Sequence, residues 1–340
     1  MASRPPSVDA FQKNQETEMK QQRRPAWLSL LLAAIAMMTT TGAAHAQPNV
    51  TKMVVPFPPG GVTDQVARIM AEHMGRQLGQ VIIIDSRPGA GSRLGVEAVI
   101  KSPGDGTTLL FTNSSYSILP VVDPKISFDP AKALAPVSMT ATYGLQIVTK
   151  KDIPANTLAE FIAYAKKNPG KLSYGSAGMG SGAHFAGEYF KSLTGTFLVH
   201  IPYRSTAGAL NDVAGGQLDM AFDASAKPLV DAGHIKLLAV TSRQRDPRFP
   251  GTPTATEAGV KSFVLESWVG LLAPATTPQP VLEKLNKAAA AALADPAVQK
   301  RFAELGLRPE GGSSARFADA IRDDLALYRG IAKESKLQFE

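Results

Sequence analysis

The sequence predicts an α/β protein made of two lobes around a ligand cleft, and three observations carry that expectation. Apolar, β-rich runs alternate with helical patterns along the whole chain, which argues for layered α/β structure with largely parallel sheets. Two glycine-rich turns each lead from a strand into a helix, the geometry in which backbone N–H groups are left free for an anion. Two apolar segments, Gln146–Lys150 and Trp268–Ala273, are placed to carry the chain across to a second lobe and back. The expected lobes are 47–147 with 268–340, and 148–267. Hinge closure between such lobes can bury a small ligand.

The first 46 residues read as a leader. Lys20, Arg23 and Arg24 precede an apolar run from Trp27 to Met38, and Ala44-His45-Ala46 supplies a small-x-small cleavage site before Gln47. The polar stretch before Met19 fits no leader architecture, so Met19 is the expected start. The apolar run is too short to span a bilayer well, and no later run reaches about 18 apolar residues. Export to a periplasm, with cleavage after Ala46, is the expectation.

The first strand is Thr51–Val55, followed by Pro56-Phe57-Pro58-Pro59-Gly60-Gly61-Val62-Thr63-Asp64. Val66, Ile69, Met70, Met74 and Leu78 then recur at helical spacing and define a helix over Asp64–Leu78. Gly60 and Gly61 lack side chains, so an anion can approach this helix start closely. Asp64 reads first as a helix cap. Val81–Asp85 is the second strand, and Pro88-Gly89-Ala90-Gly91-Ser92 forms another glycine loop ahead of a helix at Arg93–Ser102. Thr108–Thr112 is the third strand. It ends in Asn113-Ser114-Ser115-Tyr116, a hydroxyl-rich segment expected to line the cleft, with Tyr116 a stacking surface for an aromatic acid.

In the second lobe the strands are Gln146–Thr149, Leu172–Ser176, Leu198–Pro202, Met220–Asp223 and Leu237–Thr241, interleaved with helices at Leu158–Asn168, Ala183–Leu193 and Ala207–Gly215. Ser176-Ala177-Gly178-Met179-Gly180-Ser181-Gly182 repeats the physics of the first loop, with serine hydroxyls beside the free N–H groups. Asp223 ends its strand, facing the cleft or capping the next turn. Trp268 has two readings, a stacking surface at the hinge or a core residue. The strand at Trp268–Ala273 and helices at Gln279–Ala294, Pro296–Leu305 and Ser313–Lys336 return to the first lobe.

Composition removes several function classes. The net charge of +7, of which the leader carries five cations and three acids, is spread along the chain without the aromatic-interleaved basic cluster of a nucleic-acid binder. There is no cysteine, so neither disulfides nor thiolate metal sites arise. The five histidines show no paired metal spacing, and no metal is expected. No Gly-x-Ser-x-Gly elbow is present, so Ser181 and His184 lack a hydrolase context. Gly178-x-Gly180-x-x-Ala183 satisfies a relaxed dinucleotide fingerprint, but the next strand ends in Arg204 instead of an acid, leaving an exported NADP-dependent or hydrolytic enzyme as the alternative.

Nine blocks in order resemble the Bug family, the TctC-like solute-binding proteins of tripartite tricarboxylate transporters. They include Val55-Pro56-Phe57-Pro58-Pro59-Gly60-Gly61-x-Thr63-Asp64, Arg87-Pro88-Gly89-Ala90-Gly91, Tyr174-Gly175-Ser176-x-Gly178-x-Gly180-Ser181-x-x-His184, Ile201-Pro202-Tyr203-Arg204 and Trp268-x-Gly270-Leu271. The resemblance implies a periplasmic binding protein-like fold, no catalysis and no cofactor. It further implies a monomer that delivers a small carboxylate to an inner-membrane permease or a sensor. It places Phe57, Pro59, Gly61, Val62, Thr63 and Asp64 on one wall and Ser176, Gly178, Ser181 and His184 opposite. Ser114, Ser115, Asp223 and Trp268 complete the expected lining. Arg93 stands where relatives commonly have asparagine, and if turned inward it would favour a second carboxylate.

Overall fold

A computed structural model describes residues 50–338, which fall within one compact unit, Asn49–Glu340. The expected leader, residues 1–46, lies outside the described residues. The chain begins with β1 (Val50–Val55), whose Met53, Val54 and Val55 are fully buried, and runs through the Pro-Gly turn into α1 (Val62–Leu78). The apolar stripe Val66, Ile69, Met70 and Met74 faces the sheet, and burial of each such side chain contributes about 1.5–3 kcal/mol. The helix stops at Gly79, whose φ of 65° is left-handed and closes the last turn on Gly75.

β2 (Val81–Ser86), α2 (Arg93–Ile100) and β3 (Thr108–Asn113) follow, and β2, β1 and β3 pair in parallel. After α3 (Ser115–Val122) comes β4 (Leu134–Gly144), an eleven-residue strand that periodicity does not announce because Pro136 and a run of small polar residues interrupt the alternation. The chain then enters a second sheet through β5 (Gln146–Lys150), α4 (Leu158–Lys167), β6 (Leu172–Ser176), α5 (Gly182–Thr194), β7 (Leu198–Pro202), α6 (Thr206–Ala214), β8 (Met220–Asp223), the short α7 (Lys227–Asp231) and β9 (Ile235–Val240). It returns by β10 (Glu266–Pro274) to the first sheet, adding α8 (Gln279–Ala294), α9 (Pro296–Glu304), β11 (Arg308–Pro309) and α10 (Ser314–Glu334).

The first sheet has the order β11-β4-β10-β3-β1-β2 and the second β7-β6-β8-β5-β9. Neither is largely parallel, which corrects the expectation. In each, three parallel strands continue into an antiparallel portion: β10 runs against β3 and β4, and β5 against β8 and β9. The reason is connectivity, since the strands that carry the chain between sheets enter and leave without a crossover helix to reverse them.

Helices cover both faces of each sheet. In the first lobe α1, α8 and α9 pack on one face, while α2, α3 and the start of α10 pack on the other. In the second, α4 and α5 cover one face and α6 and α7 the other. α10 belongs to both lobes. Its Phe317 and Ile321 enter the first lobe's core, and Tyr328 and Ile331, on the same stripe, enter the second's, with Tyr328 edge-on to Phe185 at 5.0 Å.

The two crossings meet at Thr241. Its N–H donates to Leu145 O (2.9 Å), its carbonyl accepts from Leu265 N–H (2.9 Å), and its Oγ1 accepts from Leu145 N–H (2.8 Å) and donates to Leu265 O (2.6 Å). Gly144 and Ser242 touch so closely that a Cβ on Gly144 would lie 2.6 Å from the Ser242 backbone nitrogen.

Candidate ligand-binding site

The two glycine turns sit at the carboxyl ends of β1 and β6, the central strands of their parallel sets, where open α/β sheets place ligands. At the first, Pro59, Gly60 and Gly61 are exposed, and the first intrahelical bond of α1 runs from Gln65 N–H to Gly61 O. The N–H groups of Val62, Thr63 and Asp64 therefore have no acceptor within the helix, with the positive end of its dipole behind them. Phe57 is half-buried against the α1 side of the core.

The Asp64 side chain is not part of that site. Its carboxylate is 2% exposed and accepts Gly60 N–H (2.9 Å) and a two-point bond from Arg68 (3.0 Å each). Burial alone would raise its pKa, but the Arg68 and Gly60 bonds outweigh it and hold the group below the usual carboxylate range. Asp64 shapes the loop, and a ligand contact through this side chain would break those bonds.

Segment 113–115 is the hub of the first wall. Asn113 Nδ2 donates to Thr63 Oγ1 (3.0 Å), the Ser114 hydroxyl accepts the Trp268 backbone N–H (2.9 Å), and Ser115 Oγ lies 3.4 Å from Ser92 Oγ in the third glycine loop. In that loop Ala90 (φ 46°) and Ser92 (φ 87°) are left-handed without being glycine, a strained turn that seats buried Ser92 beside Ser115.

Three lining expectations change here. Tyr116 is fully buried, stacked on Phe128 with its hydroxyl donating to Pro130 O, so it offers no face to an aromatic ligand. Trp268 is 3% exposed, edge-on to Phe317 at 4.9 Å, and its Nε1–H donates to Asp324 (2.7 Å), so it braces the wall from behind. Asp223 Oδ1 accepts the Ser225 N–H (2.6 Å), which makes it the cap of the following turn. Arg93 pairs with Asp123 (3.2 Å) and approaches Glu97 (3.9 Å), so its charge is met within the protein.

Across the cleft, Gly178 (φ 99°) and Gly180 (φ 76°) turn the chain into α5, whose first intrahelical bond runs from Phe185 N–H to Ser181 O. The Gly182 and Ala183 N–H groups are left without an intrahelical acceptor. The serine hydroxyls are committed to the loop itself. Ser181 Oγ donates to Gly178 O (2.8 Å) and accepts His184 N–H (3.2 Å), while fully buried Ser176 Oγ bonds to Gly178 and lies 2.6 Å from His200 Nε2. His184 Nδ1 accepts Gly180 N–H (3.1 Å). Burial lowers the His184 pKa, which suits this neutral acceptor role.

The walls are joined by α3. Its first turn belongs to segment 113–115, and at its far end Val122 touches Gly180 so closely that a Cβ there would lie 2.7 Å from Val122 Cγ1. His200 and Asp324 escape sequence reading because neither lies in a glycine loop. His200 is a register neighbour of Tyr174 across β6 and β7, and Asp324 arrives from a helix more than fifty residues beyond Trp268.

Residues 66–337 match the model of a family described as the tripartite tricarboxylate transporter family receptor. The fold is similar to that of the periplasmic binding protein BugD (TM-score 0.73, 32% identity, 86% of this chain and 99% of that one). It is similar to the R. palustris protein Rpa4515, solved with adipate (0.77, 32%, 86% and 100%). MatC from Rhodopseudomonas palustris, with bound malate, aligns at 0.71 and 31% identity over 83% of this chain and 98% of that one. These are binding proteins, and the enzyme alternative built on Gly178–Ala183 falls away with them. The chain belongs to the tripartite tricarboxylate transporter receptor family and has its two-lobed periplasmic binding protein fold.

Proposed function

We propose that this protein is an exported, monomeric periplasmic receptor that closes on a small organic carboxylate, held between the α1 and α5 helix starts, and presents it to a tripartite tricarboxylate-type permease or a sensor. The observation that carries the reading is the pair of helix N-termini, one per lobe, each following a glycine turn at the end of a central parallel strand. Each offers backbone N–H groups backed by a dipole, and among the described residues neither is filled by a carboxylate beyond the Asp64–Gly60 bond. Fixed dipoles of this kind select a compact anion without an arginine, and closure strengthens their bonds by excluding water. Adipate and malate in two relatives support a mono- or dicarboxylate as the ligand class. In this arrangement Phe57, Pro59, Gly61, Val62 and Thr63 form one rim, Ser114 and Ser115 the floor, and Ser176, Gly178, Ser181 and His184 the other rim.

A thermal-shift panel of adipate, malate, citrate, nicotinate and terephthalate, with phosphate and NADP as controls, tests the proposal. Stabilisation by at least one carboxylate with none by NADP is expected. Stabilisation by phosphate or NADP alone would sink it.

A further inference from the structure

The second glycine loop is held in place from behind by a stack of rings, and the stack has one member that the ligand reading leaves unused. Gly187 on α5 has no side chain, and a Cβ there would lie 2.1 Å from the Tyr174 ring, so that ring rests directly on the helix backbone. Tyr174 stacks on His200 at 4.9 Å, and His200 stacks on His184 at 4.3 Å. The outer ring is fixed by the Tyr174 hydroxyl, which donates to Glu188 Oε1 (2.6 Å), itself paired with Lys191 (2.8 Å). The charged and titratable groups facing His200 are therefore His184, Glu188 and Lys191 on α5 and Tyr174 on β6. Burial, with His184 beside it, pushes the His200 imidazole down to about 4, so the ring is neutral near neutral pH.

Ser176 Oγ is where this stack meets the loop. It lies 2.6 Å from His200 Nε2, accepts Gly178 N–H (3.1 Å) and reaches Gly178 O (3.0 Å). Gly178 O also accepts Ser181 Oγ (2.8 Å) and Ser181 N–H (3.2 Å), so this carbonyl is paired whichever way the Ser176 proton points. The His200–Ser176 bond therefore forms in either ring tautomer, with Nε2–H donating to Oγ or the hydroxyl donating to Nε2.

Resting on the carboxylate reading of this loop, we propose that His200 is a positioning residue for ligand binding: its Nε2 anchors the Ser176 hydroxyl, which fixes the Gly178 peptide and so the aim of the α5 helix start. His200 touches no ligand and acts through Ser176.

Titration calorimetry with adipate and malate on wild type, His200→Phe, His200→Gln, Ser176→Ala and the His200→Phe/Ser176→Ala double variant tests this. Phenylalanine keeps the ring in the stack and removes the nitrogen that bonds Ser176, whereas glutamine supplies near the Nε2 position an amide that can donate or accept. A loss of about tenfold in affinity is expected for His200→Phe, equivalent to one buried hydrogen bond. His200→Gln should recover most of it, and Ser176→Ala should match His200→Phe with the double variant no worse than either. Unchanged affinity in His200→Phe, or losses that simply add, would each overturn the inference. If His200→Phe fails to fold, Ser176→Ala with wild-type affinity overturns it. Wild type that binds no carboxylate of the panel overturns the receptor reading, and this one with it.

Discussion

At the scale of single residues, the polar side chains do more work on the backbone than on a ligand. Ser176, Ser181, His184 and Asp64 stand in sequence as candidate contacts, and the structure turns their polar atoms toward the peptides of their own loops. Sequence reading locates such residues because glycine turns are local. It cannot tell a hydroxyl aimed at a ligand from one that braces the turn, since both need the same residue at the same place. Asp64 gives a prediction with a definite sign. Its folded pKa lies below the unfolded value, so its contribution to stability is present above about pH 4 and is lost as pH falls through the lower folded value. Asp64→Asn should therefore lower the melting temperature at pH 7 and converge with wild type in strong acid; parallel melting curves from pH 7 to pH 2 would show that no such linkage exists. Thr241 gives a second. Thr241→Val keeps its shape but leaves Leu145 N–H and Leu265 O unpaired at the crossings, for a loss of about 2–4 kcal/mol in denaturant unfolding. Thr241→Ser keeps the hydroxyl and should lose far less.

At the scale of elements, what was legible follows from how local each pattern is. α1, α5 and α8 are readable because buried residues recur at helical spacing over three turns or more and a glycine or proline marks a boundary. β4 and α3 are not. β4 is set by pairing with β10, a partner more than 120 residues away, and its Pro136 and serine–threonine content suppress the alternation. α3 carries Pro120 within its eight residues, a position that from sequence reads as an end. The range of α10 is legible as Ser313–Lys336, but that its buried stripe serves two cores is a tertiary fact. Ile331→Ala removes a side chain that this helix buries in the second lobe and should cost about 2–4 kcal/mol in equilibrium unfolding. A change under 0.5 kcal/mol would mean that the end of α10 is not part of that core.

At the scale of the whole molecule, α10 and the two crossings join the lobes, and Asp324 lies where that joint meets the ligand wall. It accepts from Trp268 Nε1, and the Ser114 hydroxyl bonds to it as well. Burial raises its pKa to about 7, the bonds from Trp268 and Ser114 opposing the shift and Asp323 adding to it. The sign is opposite to that of Asp64. The unfolded carboxyl gives up its proton near pH 4, whereas the folded one keeps it to about 7, so this group's favourable contribution is full below about pH 4 and drains away as pH rises toward 7. Asp324→Asn removes the charge while its amide oxygen can still accept the indole N–H. The variant should therefore gain on wild type in melting temperature as pH rises from 5 to about 7 and hold that gain to pH 8. Because Phe317 and Ile321 share the helix with Tyr328 and Ile331, that gain should appear in one cooperative transition, not in one lobe alone. Calorimetry at pH 5, 6.5 and 8 decides both points. A variant that tracks wild type across this range would place the Asp324 carboxyl in water, and two resolved transitions would mean that α10 does not bind the lobes into one folding unit.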